Sequence, residues 1–318
     1  MDCRNLGHAG IKVSPISVGT VFRGSPNDAS CIATIERAID HGINFIDCAS
    51  TYQGGRSERL VGEVVRKRRR DQLVLSTKVC EPVGDGPNDR GLSRVHILRE
   101  IDRSLRRLQT DYVDIYLLHH PDPSTPIEET LLALDEIVRQ GKVRYIGCCN
   151  FAAWQLCKAL WVSGGRDLTS FACVQNAYHL LDRSLEGAMM PLCGSEGVGI
   201  MAYSPLAVGL LTGRFRGGSP PPSDSYWGQR PERFAQAMTP DVDHAIATVL
   251  GICEARQKTP SQVALAWVLS HDEISTVITG PDTPEQVDEN MGGIGWSLTA
   301  EERAALDAAS EWAVAGGS

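Results

Sequence analysis

The chain has 318 residues, of which 42% are hydrophobic and 22% are charged, a composition typical of globular proteins. No apolar run is long enough to cross a bilayer, so no membrane partner is expected. A net charge of -8 is the opposite of the basic footprint that nucleic-acid binding requires, which argues against a nucleic-acid partner.

The cysteines and the basic residues set further limits on function. Ten cysteines without a signal-peptide pattern or a compact cysteine framework predict a reducing, cytoplasmic location. None of them has zinc-ligand spacing, so no metal site is expected. The basic run Arg66–Arg70 falls where a helix is expected to end, which favours a solvated helix terminus. A localisation signal or polyanion-binding patch is the alternative.

Short apolar runs alternate with longer amphipathic segments along the chain, as expected for repeated βα units. Candidate strands lie at 16–19, 43–47, 73–78, 113–118, 143–148, 172–175, 198–203 and 274–278. Capping-box patterns predict helix starts at Thr125-Pro126-Ile127-Glu128, Thr259-Pro260-Ser261-Gln262, Thr283-Pro284-Glu285-Gln286 and Thr299-Ala300-Glu301-Glu302.

Eight such strands close most naturally into a (β/α)8 TIM barrel, an α/β fold, with the segment Arg4 to Val13 as an N-terminal β-hairpin over its bottom. An open doubly wound sheet is the alternative. Length alone would predict about two domains, but α/β barrels of this size commonly form one. Residues 1–318 are therefore predicted to be a single barrel domain.

A long loop after the seventh strand, residues 207–239, interrupts the rhythm of strands and helices. Loops of this length inside a compact domain are usually functional lids or disordered segments. We expect a lid over the mouth of the barrel, with a solvated insertion as the alternative.

Four polar residues lie at or just after the ends of candidate strands, where parallel strands deliver their last residues to one common mouth. They are Asp47, Tyr52, Lys78 and His119. If Lys78 points into the barrel, strand alternation directs Ser76 and Val74 inward as well. The same alternation predicts that His119 and His120 point in opposite directions, without deciding which of the two enters the mouth.

These residues form a candidate proton donor and the groups that tune it. A buried Lys78 needs a carboxylate such as Asp47, and an ion pair with a purely structural role is the alternative. A phenol has a pKa of about 10, and a neighbouring cation such as Lys78 is expected to lower that of Tyr52, making it a usable general acid. Taken separately, Tyr52 and His119 are ordinary packing residues in the simplest interpretation.

Several segments resemble the aldo-keto reductase family, and the resemblance covers nearly the whole chain. The segments are Asn44 to Glu58 with Asp47 and Tyr52, Ser76-Thr77-Lys78, Asp114 to Asp122 with the His-x-Pro-Asp pattern, Gly147 to Phe151, Gln175, Tyr203-Ser204-Pro205-Leu206 and Gly280 to Asn290. This resemblance, and not alternation, selects His119 over His120.

The resemblance implies a (β/α)8 enzyme that reduces an aldehyde or ketone with NADPH, or with NADH, bound across the mouth. In the family the tyrosine is the acid, the Asp/Lys pair tunes it, and the histidine orients the carbonyl. The implied cofactor-binding residues are Asn150 and Gln175 at the carboxamide, Tyr203 on the nicotinamide ring, Ser204, Leu206 and Gly209 along the pyrophosphate, and Gly280, Thr283, Gln286, Glu289 and Asn290 around the adenosine.

Two departures from the family pattern keep alternatives open. Cys149 stands where the family usually has serine, which predicts looser contacts to the nicotinamide. Asp282 lies in the loop for the 2′-phosphate, where a carboxylate repels phosphate and favours NADH. Two other candidates therefore remain. One is a sugar or alcohol dehydrogenase that uses NAD. The other is a nucleotide-binding regulatory subunit resembling potassium-channel β subunits. The sequence identifies neither the carbonyl substrate nor the oligomeric state.

Overall fold

A computed structural model describes residues 1–24, 27–216, 218–223 and 225–314. Contacts divide the chain into two compact units. The barrel unit comprises Met1–Asn176, Ala188–Tyr203 and Glu273–Val287, and the second unit comprises Ala177–Gly187, Ser204–Asp272 and Asp288–Ser318. That residues 1–318 form a single domain stays a prediction.

Two short strands precede the eight strands of the barrel. The strands are β1 (Arg4–Asn5), β2 (Lys12–Val13), β3 (Ile16–Gly19), β4 (Phe45–Asp47), β5 (Val74–Val79), β6 (Val113–Leu118), β7 (Val143–Cys149), β8 (Phe171–Ala177), β9 (Gly199–Tyr203) and β10 (Ile274–Thr279). The predicted strand positions are confirmed to within a few residues.

Strands β3 to β10 form a closed parallel barrel in sequence order. Closure occurs where β10 pairs with β3, with Val277 opposite Ile16. This pairing shows that the open doubly wound alternative is wrong, because an open sheet leaves its first and last strands unpaired. Strands β1 and β2 pair antiparallel, with Arg4 opposite Val13, which confirms the predicted N-terminal hairpin.

Helices follow the barrel strands along the chain, as the alternating pattern predicted. They are α1 (Asp28–Asp40), α2 (Arg56–Val65), α3 (Arg94–Leu108), α4 (Ile127–Arg139), α5 (Ala153–Gly165), α6 (Met189–Glu196), α7 (Pro231–Ala237), α8 (Pro240–Arg256), α9 (Pro260–Leu269), α10 (Pro284–Met291) and α11 (Ala300–Ala309). Within the described residues, no helix is both long and apolar enough to span a membrane.

Complete capping boxes form at two of the four predicted helix starts. Thr259 and Thr299 form complete capping boxes with the residues three positions on. The box at Thr125 is wrong, because its hydroxyl donates to Asp122 and α4 begins at Ile127 after an uncapped Pro126. The box at Thr283 is half formed, since the Gln286 side chain accepts from the Asp282 amide instead.

The basic run Arg66–Arg70 follows α2, which ends at Val65. Arg68 pairs with Asp40, and Arg70 pairs with Asp114. The position after α2 and the partly exposed Arg68 agree with the interpretation of the run as a solvated helix terminus, but Arg70 does not, because its pair with Asp114 is largely buried. The polyanion alternative stays a prediction.

The barrel interior is filled by side chains of alternate strand residues. The buried cluster comprises Leu6, Val13, Phe45, Val74, Ile115, Leu117, Cys149, Cys173, Met201 and Ile278. Because Phe45 and Val74 point inward, residues two and four positions further along β4 and β5 also point inward. This alternation directs Asp47 and Lys78 toward the barrel axis near the carboxyl ends of their strands.

The predicted long loop, residues 207–239, belongs to the second unit and carries local structure. It begins with a short 3₁₀ helix, Ala207–Thr212, and its later part includes α7. The Trp227 indole donates to the Val208 carbonyl at 3.0 Å, and the Trp227 ring lies against Phe234. Gly217 and Asp224 lie outside the described residues. The role of this segment as a lid stays a prediction.

Candidate active site

Lys78 is the centre of a hydrogen-bonded cluster at the carboxyl ends of β4 and β5. Its fully buried ammonium donates to Asp47 Oδ2 at 2.6 Å, to the Cys48 carbonyl at 2.9 Å and to the Tyr52 hydroxyl at 3.2 Å. An ammonium has three hydrogens, so these three acceptors satisfy it completely. We call Asp47, Tyr52, Lys78 and the adjacent His119 the mouth cluster.

Asp47 is held by more partners than the sequence predicted. Its Oδ1 accepts from the Ser76 hydroxyl at 2.6 Å and from the Gln175 amide at 3.1 Å. Ser76 was predicted to point inward but was given no role. Gln175 was assigned only to the cofactor, and its contact with Asp47 across the barrel was missed because strand alternation carries no information on distances between distant strands.

Tyr52 is positioned by a tight turn between β4 and α2. The Tyr52 amide donates to the Ala49 carbonyl, and the Gly55 amide donates to the Tyr52 carbonyl. Gln53, Gly54 and Gly55 then follow with φ of 50°, 62° and 83°, a left-handed run that glycine adopts at low cost. The Gln53 amide also donates to the Val21 and Phe22 carbonyls, which ties this turn to the loop after β3.

The ionisation of Lys78 and Tyr52 is set by burial and by their mutual contact. Burial alone would lower the pKa of Lys78, but Asp47 and Tyr52 raise it above its ordinary value. Burial raises the pKa of Tyr52 to about 12, although Lys78 acts in the opposite direction. The expectation that Lys78 brings the pKa of Tyr52 below its ordinary value is therefore wrong, because desolvation of the phenol outweighs the cation.

His119 follows β6 directly and contacts the tyrosine ring. The two ring centroids lie 5.7 Å apart in an edge-to-face arrangement. Burial, with Lys78 and His120 acting in the same direction, lowers the pKa of His119 to about 3. The imidazole is therefore neutral at physiological pH and carries one N–H donor.

His120 does not point away from His119, as strand alternation predicted. The two rings are stacked, with centroids 5.0 Å apart and planes 19° from parallel. The prediction is wrong because β6 ends at Leu118, and alternation does not extend beyond a strand.

Three of the residues assigned to the nicotinamide are joined to the mouth cluster or to one another. The Asn150 amide donates to the His119 carbonyl at 3.0 Å, and Asn150 Oδ1 accepts from the Tyr203 hydroxyl at 2.8 Å. Gln175 contacts Asp47, as described above. The Asn150 backbone amide also donates to the Asn176 side chain at 2.9 Å, a partner that the sequence analysis missed. Asn176 follows Gln175 on β8 and was not singled out by any motif.

In the barrel unit, the residues assigned to the adenosine surround the start of α10. Gly280 has open space where a side chain would begin, and the Gln286 amide hydrogen-bonds to the Thr283 hydroxyl. The Asp282 carboxylate accepts from the Gly24 amide at 3.1 Å, which connects this loop to the loop after β3.

In the second unit, the residues assigned to the pyrophosphate form one strained turn. Ser204, Ala207, Val208 and Gly209 all have positive φ, between 48° and 91°. Such a conformation is uncommon for a β-branched residue such as Val208. Leu206 accepts from the Gly209 and Leu211 amides, which stabilises this backbone.

Glu289 and Asn290, the last two assigned residues, lie in α10 within the same unit. The Glu289 carbonyl accepts from the Gln262 side chain, and Asn290 is buried.

Comparison with known proteins identifies the family of this chain. The model of the aldo/keto reductase family matches residues 15–311, and the chain belongs to this family. Membership places it among the oxidoreductases.

Three curated relatives align over most of their length. A protein from Arabidopsis thaliana named "Probable voltage-gated potassium channel subunit beta" is 36% identical over 92% of this chain and 91% of the relative. "Uncharacterized oxidoreductase YrpG" of Bacillus subtilis (strain 168) is 36% identical over 95% of this chain and 93% of the relative. A rice protein, from Oryza sativa subsp. japonica, has the same name as the Arabidopsis relative and is 34% identical over 92% of this chain and 90% of the relative.

Proposed function

We propose that this chain reduces an aldehyde or ketone to an alcohol with a nicotinamide dinucleotide as hydride donor and Tyr52 as general acid. One observation carries the proposal: the Lys78 ammonium donates to Asp47 and to the Tyr52 hydroxyl at the same time. Since the phenol oxygen accepts from Lys78, its own proton remains available to donate to a carbonyl.

The residues present fit a dinucleotide. Gln175 is 3% exposed, and within the described residues no hydrogen bond reaches its Oε1, which leaves an acceptor for a carboxamide. Gly280, in the same unit, leaves open space beside the start of α10. NADPH is the expected cofactor, with NADH as the alternative. When bound, the reduced nicotinamide supplies the hydride.

The chain's own residues would orient the carbonyl and supply the proton. Neutral His119 donates a hydrogen bond to the carbonyl oxygen and orients it. Tyr52 transfers its proton to this oxygen as negative charge develops, because an alkoxide is far more basic than a phenolate. Lys78 stabilises the phenolate that remains, and Asp47 keeps Lys78 charged while both are buried. General acid catalysis of this kind typically accelerates a reaction by about 10² to 10⁴.

Two alternatives use the same residues. A sugar or alcohol dehydrogenase would run the reaction in reverse with NAD, and Asp282 next to the adenosine residues favours that cofactor. A regulatory subunit would bind the nucleotide without rapid turnover. The Arabidopsis and rice relatives are named as probable subunits of a potassium channel, which makes a regulatory role the second candidate for this chain.

The decisive experiment follows the absorbance of reduced nicotinamide after addition of para-nitrobenzaldehyde to the purified protein. Steady oxidation of NADPH or NADH supports the reductase. Oxidation of the corresponding alcohol with NAD, faster than the reverse reaction under matched conditions, supports the dehydrogenase. Tight binding of either cofactor without turnover of aldehydes, ketones or alcohols contradicts the reductase and supports the regulatory role.

A further inference from the structure

A carboxylate lies at the rim of the mouth cluster and has no part in the proposed chemistry. Glu81 follows β5, the strand that carries Lys78, and its Oε1 lies 3.2 Å from His120 Nε2. Both side chains are partly exposed, at 39% for Glu81 and 47% for His120. Solvent and dissolved molecules therefore reach this pair.

A backbone hydrogen bond joins the carboxyl ends of β5 and β6 next to Glu81 and His120. The His119 amide donates to the Val79 carbonyl at 2.8 Å, and Glu81 follows two residues after Val79. Cys80 has φ of 143°, a conformation that few residues with side chains adopt. The position of Glu81 relative to His120 is thus set by the backbone as well as by the side-chain contact.

A continuous series of contacts joins Glu81 to the mouth cluster. Glu81 pairs with His120, the His120 ring is stacked on His119, and the His119 ring contacts Tyr52. If a carbonyl is bound between Tyr52 and His119, a substituent directed toward His120 would approach the Glu81 carboxylate.

The charge of Glu81 is not neutralised by a permanent cation. In the part of the chain that the structure describes, Glu81 forms no ion pair with lysine or arginine. Asp122, on the loop after β6, adds a second negative charge near Cys80, the residue before Glu81. The Lys78 charge is already paired with Asp47. This side of the mouth is therefore negative when His120 is neutral.

We propose that Glu81 determines substrate specificity at the mouth by disfavouring carbonyl compounds that carry an anionic group and leaving neutral aldehydes and ketones as the preferred class. This inference rests on the proposed function, because it requires the carbonyl to bind beside Tyr52 and His119. Two like charges roughly 10 Å apart near a protein surface change a binding constant by about two- to tenfold.

The test compares an anionic and a neutral substrate of nearly the same shape. Para-carboxybenzaldehyde is anionic, and its methyl ester, methyl para-formylbenzoate, is neutral. The ester withdraws electrons more strongly, but this difference in reactivity is the same for every variant and cancels when their ratios are compared. We would measure kcat/KM for both at about pH 8, where an ordinary histidine is neutral. Glu81→Gln preserves the size of the side chain and removes its charge. Glu63→Gln, an exposed position on α2, is the matched control for loss of one negative charge.

The ratio of kcat/KM for the acid to that for the ester is expected to rise about two- to tenfold in Glu81→Gln and to stay unchanged in Glu63→Gln. Added salt should raise the same ratio in the wild type and have less effect in Glu81→Gln, because salt screens exposed charges. An unchanged or lower ratio in Glu81→Gln would overturn the proposal.

An equilibrium measurement separates failure of this inference from failure of the proposed function. The products, para-carboxybenzyl alcohol and its methyl ester, are titrated against the protein while its tryptophan fluorescence is followed. If the wild type reduces neither aldehyde, the reductase proposal fails, and the product affinities still test Glu81. Weaker binding of the acid than of the ester, relieved in Glu81→Gln, supports the inference, whereas equal binding in both proteins rejects it. Should Glu81→Gln fold poorly, Glu81→Ala is measured in the same way.

Discussion

The barrel unit contains two buried clusters with the same kinds of side chain and different surroundings. In the mouth cluster, Lys78 pairs with Asp47 and donates to Tyr52. In a second group, which we call the helix cluster, Arg107 of α3 pairs with Glu58 of α2 and with Glu100. Glu58 and Glu100 are fully buried, and the Thr77 hydroxyl donates to Glu58 at 2.6 Å.

Each cluster also has a tyrosine nearby, and the two tyrosines differ most clearly. The Tyr52 hydroxyl accepts from Lys78 and keeps part of its side chain exposed at the mouth. Tyr116 of β6 is fully buried, and its hydroxyl has no hydrogen-bond partner within the described residues. Burial, with Glu100 and Glu58 in addition, raises the pKa of Tyr116 well above its ordinary value. Buried charge is therefore common to both clusters, and a hydrogen-bonded, partly exposed tyrosine hydroxyl distinguishes the mouth cluster.

The two tyrosines give the largest predicted contrast. Tyr52→Phe removes the proposed acid and should reduce kcat for carbonyl reduction by about 10² to 10⁴, with cofactor affinity unchanged. Tyr116→Phe removes an unpartnered hydroxyl and should leave kcat unchanged and stability equal or higher. Steady-state kinetics, cofactor titration and thermal unfolding test both variants. Equal loss of turnover in the two variants would mean that the mouth cluster has no special role.

Removing the cation from each cluster should separate stability from activity. Lys78→Met and Arg107→Met both leave buried carboxylates without their partner, so each should lower the free energy of unfolding by about 3 to 5 kcal/mol. Methionine retains much of the aliphatic stem in both cases. Only Lys78→Met should also lower kcat per folded molecule, because Lys78 alone contacts Tyr52. Denaturant unfolding and kinetics at a temperature where both variants are folded distinguish the two effects.

Substitutions of Asp282 test whether a carboxylate outside both clusters affects the preference for NADPH or NADH. Asp282→Arg replaces a negative charge with a positive one beside the residues that the family resemblance assigns to the adenosine. It should raise the preference for NADPH over NADH by about tenfold. Asp282→Asn keeps an acceptor for the Gly24 amide and should give a smaller change in the same direction. The measurement is kcat/KM with each cofactor, and no change in either variant would show that Asp282 faces away from the ribose.

The smallest expected effect is the response of reduction to pH. Since burial lowers the pKa of His119 to about 3, its imidazole is neutral above that value and gains a proton only as the pH falls toward 3. Since burial raises the pKa of Tyr52 to about 12, the phenol keeps its proton until the pH approaches 12. The kcat for a neutral aldehyde should therefore be flat between about pH 5 and pH 9. A change in kcat that follows a single ionisation near pH 6.5, and that is absent in His119→Asn, would contradict the role of neutral His119 as a hydrogen-bond donor.

The sequence was sufficient for the barrel because strand periodicity and turn residues are local properties. Alternation along β5 correctly placed Lys78, Ser76 and Val74 on one face, which is the inward face of the barrel. The strand ends then explained why Asp47 and Lys78 meet. Side chains alternate between the two faces of β4 and of β5, so the direction of one residue in each strand determines the direction of the others.

Other features depended on contacts that periodicity does not encode. Gln175 reaches Asp47 from a distant strand, and His120 stacks on His119 beyond the end of β6. Thr125 has the sequence of a helix cap, but its hydroxyl donates to the Asp122 carboxylate, and its oxygen accepts from no amide of α4. The pKa of Tyr52 was misjudged because the sequence reveals a nearby cation more readily than the extent of desolvation.

Gly55 brings the two clusters into contact. A methyl group at this position would lie 3.0 Å from Arg107 Cδ, and the residue has φ of 83°. Any side chain here would both strain the turn that carries Tyr52 and push Arg107 away from its carboxylates. The smallest residue thus lies where the tyrosine turn meets the arginine, and its replacement would disturb both groups at once, whereas Tyr52 and Arg107 can each be changed alone.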